Sequence, residues 1–250
     1  MSVKLNKVRS TKMKFAVIGD IHSNKYALES VLTHIKEQGV DTILSTGDLV
    51  GYLPYPNEVI SLLKKHHVFV VKGNHDDTIA NASSVSAEEL KRYDVKQIQS
   101  KASNLYTNYV LSDENRTYLK NLPHELNFKI LDKTIQVVHG SHRDIAEYLN
   151  EDEELLTQLA PTVLADVLIC GHTHMPYHLN VGGIDFINVG SVGKPKTGDD
   201  LATYTIVEVK ENEVISQLMK VSYNVDQLVK DIEENEMISN DLIEMIRKGY

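Results

Sequence analysis

The chain has 250 residues, 42% hydrophobic and 24% charged, proportions that exclude a disordered or fibrous protein and suffice for one sizeable core. A formal charge of −9 argues against a surface that grips nucleic-acid backbone, which needs clustered Lys and Arg in excess, although bound divalent cations could still hold a phosphate. The lone cysteine, Cys170, cannot form an intrachain disulfide and no apolar run approaches the ~20 residues that span a bilayer, so the expected compartment is the cytoplasm, without membrane contact.

Residues 1–13 read as a flexible tail, because Lys4, Lys7, Arg9 and Lys12 precede no apolar segment of the secretory kind. Residues 14–250 read as a single domain. Lys14 to Ile18 is a short apolar strand, followed by a polar turn and by helical spacing of Ala27, Leu28, Val31, Leu32 and Ile35. Thr42 to Leu44 and Val68 to Val71 repeat the strand pattern around a helix from Asn57 to Lys65, giving β-α-β-α-β. Between Asp77 and Pro123 strand signals vanish. Leu90, Val95, Ile98, Ala102 and Leu105 suggest helices there, with Ser112 as an N-cap ahead of Tyr118 and Leu119, so this stretch is a helical insertion. Strands return at Phe128–Ile130, Thr134–Val138, Val167–Cys170, Tyr177–Asn180, Ile184–Asn188, Thr203–Val209 and Val214–Val221, which implies a second sheet. Val225 to Arg247 carries apolar residues among charges, the pattern of outer amphipathic helices.

Five polar motifs each end an apolar strand, where sites assemble in α/β folds. They are Asp20-Ile21-His22, Gly47-Asp48, Gly73-Asn74-His75-Asp76, His139-Gly140 and Gly171-His172-Thr173-His174. In Asp20-Ile21-His22, alternate residues of an extended segment would present a carboxylate and an imidazole on one side. The glycines permit tight turns and close backbone approach. Asp20, His22, Asp48, Asn74, His139, His172 and His174 form a mixed oxygen and nitrogen set without thiolates, suited to Mn, Fe or Zn. With Asp48 shared, the set divides into two four-member shells, the arithmetic of a site for two divalent metal ions. The other histidines, His34, His66, His67, His124 and His178, read as structural groups. Tyr93, Tyr106, Tyr109 and Tyr118 of the insertion read as packing residues and as candidates for a substrate lid.

This motif series resembles the calcineurin-like metallophosphoesterases, over about Lys14 to Val209. The resemblance implies an α/β (α+β) fold: a four-layer αββα sandwich of two mixed β-sheets flanked by helices. It also implies one metal on Asp20, His22, Asp48 and His174 and a second on Asp48, Asn74, His139 and His172. By the same resemblance His75 is the catalytic histidine, Asp76 orients it, and a metal-bridging hydroxide attacks phosphorus without a covalent intermediate.

The run Gly47-Asp48-Leu49-Val50-Gly51-Tyr52 with Pro54 and Pro56 is similar to a bacterial and archaeal branch of small phosphoesterases that includes dinucleoside polyphosphate hydrolases and phosphodiesterases. Val50-Gly51-Tyr52 replaces the Asp-Arg-Gly stretch of the protein phosphatases, which ranks that activity low. A small nucleotide such as diadenosine tetraphosphate is the first substrate expectation. A general phosphodiesterase or phosphomonoesterase is the alternative, and a metal-binding interaction scaffold the non-enzymatic one. Asn24, His142, Lys194 and Lys196 are the candidate substrate contacts. A homodimer is an open possibility.

Overall fold

The computed structural model describes residues 12–99 and 103–250. The basic residues Lys4, Lys7 and Arg9 and the expected helix position Ala102 lie outside the described residues. The chain opens with β1 (Lys12–Ile18), α1 (Lys25–Glu37), β2 (Ile43–Ser45), α2 (Pro56–Lys65) and β3 (Phe69–Val70). The helical insertion follows as α3 (Asn74–Asn81), α4 (Ala87–Leu90), α5 (Val95–Ile98), α6 (Asn104–Val110) and α7 (Asp113–Lys120). Next come β4 (Leu126–Ile130), β5 (Lys133–Val137), α8 (Glu153–Leu159), β6 (Val167–Cys170), β7 (Tyr177–Val181) and β8 (Ile184–Asn188). The chain ends with β9 (Ala202–Lys210), β10 (Val214–Val221), α9 (Val225–Glu233) and α10 (Asp241–Lys248).

These strands form two mixed five-stranded sheets, ordered β10-β9-β1-β2-β3 and β4-β5-β6-β8-β7. β1, β2 and β3 run parallel, as do β5, β6 and β8, while β9, β10, β4 and β7 pair antiparallel with their neighbours. Alternation along β1 builds the layers. Phe15 and Val17 point between the sheets onto Ile135, Val137, Ile169 and Ile187, and Ala16 and Ile18 point outward onto Leu28, Val31 and Ile35 of α1. A strand buried on both faces must be apolar at successive positions, which is why β1 reads as a continuous run. The second sheet buries Leu168, Cys170 and Phe186 on its outer face against Leu156 and Leu159 of α8. The architecture is therefore the αββα sandwich.

Three details differ from the sequence reading. β1 begins at Lys12, with Lys12 and Met13 paired to Lys210 and Val209, so these two residues belong to the sheet and not to the tail. A long antiparallel partner supplies the ladder that a polar strand start lacks by itself. β9 and β10 join the first sheet beside β1 rather than the second sheet, because pairing depends on which edge is open and not on chain order. α8 had no counterpart in the sequence reading. Its signal is the Asp152 side chain, which accepts hydrogen bonds from the Glu154 and Leu155 amides.

Replacing Phe186, fully buried between the second sheet and α8, by alanine should cost about 3–5 kcal/mol in urea unfolding. Leu164→Ala, at a residue 96% exposed, should change stability by less than about 0.5 kcal/mol. Equal losses would contradict this packing scheme.

Candidate metal centre

The parallel strands of both sheets end on the same side, and their carboxyl-end loops carry the seven expected ligands. Asp20 and His22 follow β1, Asp48 follows β2, Asn74 opens α3 after β3, His139 follows β5, and His172 and His174 follow β6. Asp20, His22, Asp48, His172 and His174 all adopt left-handed backbone, with φ between +47° and +64°. The extended arrangement expected for Asp20-Ile21-His22 is thus replaced by a turn. Each such non-glycine residue costs about 1–2 kcal/mol of strain, held by its surroundings. The Ile21 and His22 amides donate to the Asp48 carbonyl at 2.8 and 3.0 Å, locking the first two loops together. Gly73 and Gly171 allow the close approach: a Cβ on Gly73 would lie 2.1 Å from Asp48 Oδ1, and one on Gly171 2.5 Å from Asp20 Oδ2.

Backbone carbonyls set the orientation of every imidazole. His22 Nδ1 faces Val50 O at 3.3 Å, His139 Nδ1 faces Thr46 O at 2.8 Å and His174 Nδ1 faces Lys194 O at 2.6 Å. His172 is turned the other way, with Nε2 at 3.1 Å from Ala146 O. A carbonyl can only accept, so those nitrogens carry the hydrogens and the opposite nitrogens aim lone pairs into the cleft. There His174 Nε2 lies 3.1 Å from His22 Nε2 and 3.2 Å from Asp20 Oδ1. His139 Nε2 lies 3.2 Å from His172 Nδ1, 2.9 Å from Asn74 Oδ1 and 3.3 Å from Asp48 Oδ2. Asp48 Oδ2 is also 3.9 Å from His22 Nε2, so Asp48 stands between the two groups.

Acceptors facing one another at such distances repel unless a positive centre lies among them. Asp20 Oδ1 is buried without a hydrogen-bond donor, which is costly for an isolated carboxylate oxygen. Asp20, His22 and His174 form one cluster able to hold an ion and Asp48, His139 and His172 another, with His22, Asp48 and His75 a third that overlaps both. Divalent cations fit both, and nitrogen-rich clusters suit Mn, Fe or Zn better than the oxygen-only preference of Ca or Mg. Without cations the imidazoles share the load. Burial opposes ionisation of both aspartates, yet His174 keeps Asp20 below the usual carboxylate range and His139 does the same for Asp48. Burial likewise pulls His139 down, but Asp48 outweighs it and holds the imidazole at about 9.

The remaining expected residues divide. The His75 ring sits 5.1 Å from that of His22, and its amide donates to Asp48 Oδ1 at 2.8 Å, so it stands at the cluster. Asp76 does not orient it. Its carboxylate accepts from the Leu49 and Val50 amides at 2.9 and 3.2 Å and from the Gly73 amide at 3.0 Å, tying the Asp48 loop to the start of α3. Asp76 is therefore a positioning residue, with its acid pushed up to about 7 by burial and by Asp48. Asn24 is also removed from the substrate contacts. Its Oδ1 caps α1 through the Ala27 amide and its Nδ2 donates to Gly193 O at 3.0 Å, which uses both ends of the side chain.

Lys194 Nζ reaches to 5.4 Å from the Tyr52 ring beside the cluster, and burial and Lys196 lower its pKa. Lys196 is half-buried, and its amide donates to His174 O at 3.4 Å. His142 lines a cavity of about 520 Å³ together with His124, Arg143 and the ligand His139. His34 and His178 are satisfied by Tyr204 and Asp185, as structural groups are. The sequence reading missed Tyr52 and Tyr148 as neighbours of the ligands. The Tyr52 ring lies 4.8 Å from that of His22 and the Tyr148 ring 4.1 Å from that of His172.

Comparison with known proteins agrees with this geometry. Residues 13–212 match the calcineurin-like phosphoesterase superfamily domain. An uncharacterized protein of Methanocaldococcus jannaschii is 30% identical over 245 residues, 90% of this chain and 94% of that protein. The crystal structure of a metallophosphoesterase from Sphaerobacter thermophilus superposes with a TM-score of 0.78 at 27% identity, covering 95% of this chain and 99% of that one. A hypothetical protein from Pyrococcus horikoshii shares the fold, with a TM-score of 0.81 at 24% identity over 95% of this chain and 98% of that one. The chain belongs to the calcineurin-like metallophosphoesterase family, and is a phosphoesterase hydrolase whose buried His and Asp clusters fit divalent metal ions.

Proposed function

We propose that the chain hydrolyses a small nucleotide at a dinuclear centre, with diadenosine tetraphosphate as the leading substrate. The observation that carries the dinuclear reading is the pair of clusters meeting at Asp48, each with its lone pairs locked inward by backbone carbonyls. Asp20, His22, Asp48 and His174 would hold one ion, and Asp48, Asn74, His139 and His172 the other, with Mn or Fe ahead of Zn. When bound, the cations neutralise developing phosphoryl charge and make water nucleophilic near neutral pH. The residues of the chain supply the rest. His75, beside His22 and held by the Asp48 carboxylate through its amide, delivers a proton or charge to the leaving oxygen. Lys194, partly stripped of water beside Tyr52, would take up a phosphate oxygen, with the charge of Lys196 adding to its own. The nucleotide reading is supported by the sequence run from Gly47 to Tyr52. No helix among the described residues is long and apolar enough to cross a membrane.

Asp48→Asn should lower metal content at both positions, measured by inductively coupled plasma mass spectrometry, and abolish turnover; two ions per chain retained would remove Asp48 as the bridge. His75→Ala should keep both metals and slow hydrolysis by roughly 10²- to 10⁴-fold, the usual contribution of a proton-transfer group. Chromatography of products from the Mn²⁺-loaded protein, with a chelated control, should show metal-dependent cleavage of diadenosine tetraphosphate. Hydrolysis confined to simple phosphomonoesters or phosphodiesters would leave a general phosphoesterase and discard the nucleotide.

A further inference from the structure

The mouth of the cleft carries an aromatic residue that the metal chemistry leaves without a role. Tyr148 lays its ring over His172, 4.1 Å between centroids and tilted 40°, yet the residue is 54% exposed. An exposed tyrosine on a loop would ordinarily be free to move, but this one is pinned on both sides along the chain. Two residues before it, the Ala146 carbonyl accepts from His172 Nε2 at 3.1 Å. One residue after it, Leu149 is 1% exposed within the core under the second sheet, and its carbonyl accepts from the Tyr177 hydroxyl at 3.1 Å. Tyr148 therefore offers a fixed, solvent-facing ring at the edge of the ligand cluster.

Tyr52 stands by the other half of the cluster, 4.8 Å from His22 and 5.0 Å from His75 between ring centroids. It keeps φ at +60°, where glycine would be free of strain. Lys194 Nζ lies 5.4 Å from its ring. Beside His22 the cluster thus borders an aromatic ring and a cation, and beside His172 it borders a second ring that is more than half exposed. A planar π-system attached to the phosphate is the chemical group that such an open ring accommodates, because stacking needs a flat face and no particular hydrogen-bond pattern.

We propose that Tyr148 is a specificity residue of the phosphoester site, stacking the nucleobase of the substrate on its exposed side while the phosphate lies on the ligand cluster, which Tyr52 borders at His22. This rests on the nucleotide reading of the site proposed above and assigns the role of base platform to the loop after β5. Two of the insertion tyrosines are engaged elsewhere: Tyr106 donates to Pro54 O at 2.8 Å, and Tyr118 packs on the core with Lys64 of α2 over its ring.

Calorimetric titration of the Mn²⁺-loaded full chain with AMP and with ribose 5-phosphate separates base recognition from phosphate recognition. Wild type should bind AMP roughly 5- to 100-fold more tightly, the usual worth of one stacked base. Tyr148→Ala should erase that preference while leaving ribose 5-phosphate affinity and manganese content unchanged, and Tyr148→Phe should retain it. The proposal is overturned if wild type shows no preference for AMP, including no binding of either ligand, or if Tyr148→Ala keeps the preference. Parallel loss of both affinities, or loss of manganese, in Tyr148→Ala would also overturn it, by showing that the ring only shields His172. Failure of the substrate reading is seen separately, in the chromatographic products.

Discussion

Four imidazoles, two carboxylates and an amide oxygen converge with their acceptor atoms turned toward one another, and the fold is organised around holding that unfavourable arrangement. Each histidine is fixed by a backbone carbonyl: Val50 and Thr46 from the loop after β2, Ala146 from the loop after β5 and Lys194 from the loop after β8. None of these rings can relieve the repulsion by turning over without abandoning a buried hydrogen bond, which costs about 1–3 kcal/mol. Left-handed backbone at five of the ligands adds strain. Strain and repulsion accepted together at one place indicate a site built for something positive to occupy it, and that is the physical basis of the metal assignment.

The rest of the sandwich keeps these loops in register. Parallel strands in both sheets end on one side, so the loops after β1, β2, β3, β5 and β6 meet there. Asp76 binds three amides from two of those loops, and the Ser191 hydroxyl donates to Asp20 O at 2.7 Å from the loop after β8. The carboxyl-terminal helices also take part. Leu53, one residue beyond Tyr52, packs in the cluster made by Leu228, Ile232, Leu242 and Ile246 of α9 and α10, and Asp231 of α9 accepts from the Tyr26 and Tyr55 hydroxyls at 2.7 and 2.5 Å. The wall of the cleft that includes Tyr52 is thereby braced by the end of the chain.

Charge follows the same logic. An acidic protein, formally −9, would repel phosphate on average, but the cleft concentrates what attracts it: cation-binding clusters and Lys194, buried to 7% exposure. Electrostatic attraction in a partly desolvated cleft is far stronger than on an open surface. A small phosphorylated ligand can use that local field.

Much of this was legible in the chain because strands and metal ligands leave short-range marks. β1, β6 and β8 are apolar runs with turns behind them, and Asp20, His22, Asp48, Asn74, His139, His172 and His174 each follow such a run within a few residues. The sequence by itself thus determined the strands, the Asp, Asn and His residues that meet at the cluster and the family resemblance. What it could not determine depends on contacts between distant residues. Asn24 resembles a phosphate contact in the sequence, but folding turns it into the cap of α1 and a partner of Gly193. Asp76 follows His75 in the chain yet reaches the Leu49 and Val50 amides instead. Tyr148 lies in a loop without periodicity and meets His172 only because Ala146 and Leu149 are anchored to other elements. Assignment of β9 and β10 to the first sheet was equally beyond the sequence, since strand pairing is chosen by which edge β1 leaves open. Hydrophobic periodicity is a local property of the chain, whereas hydrogen-bond partners and ring contacts are settled only when the two sheets close on each other.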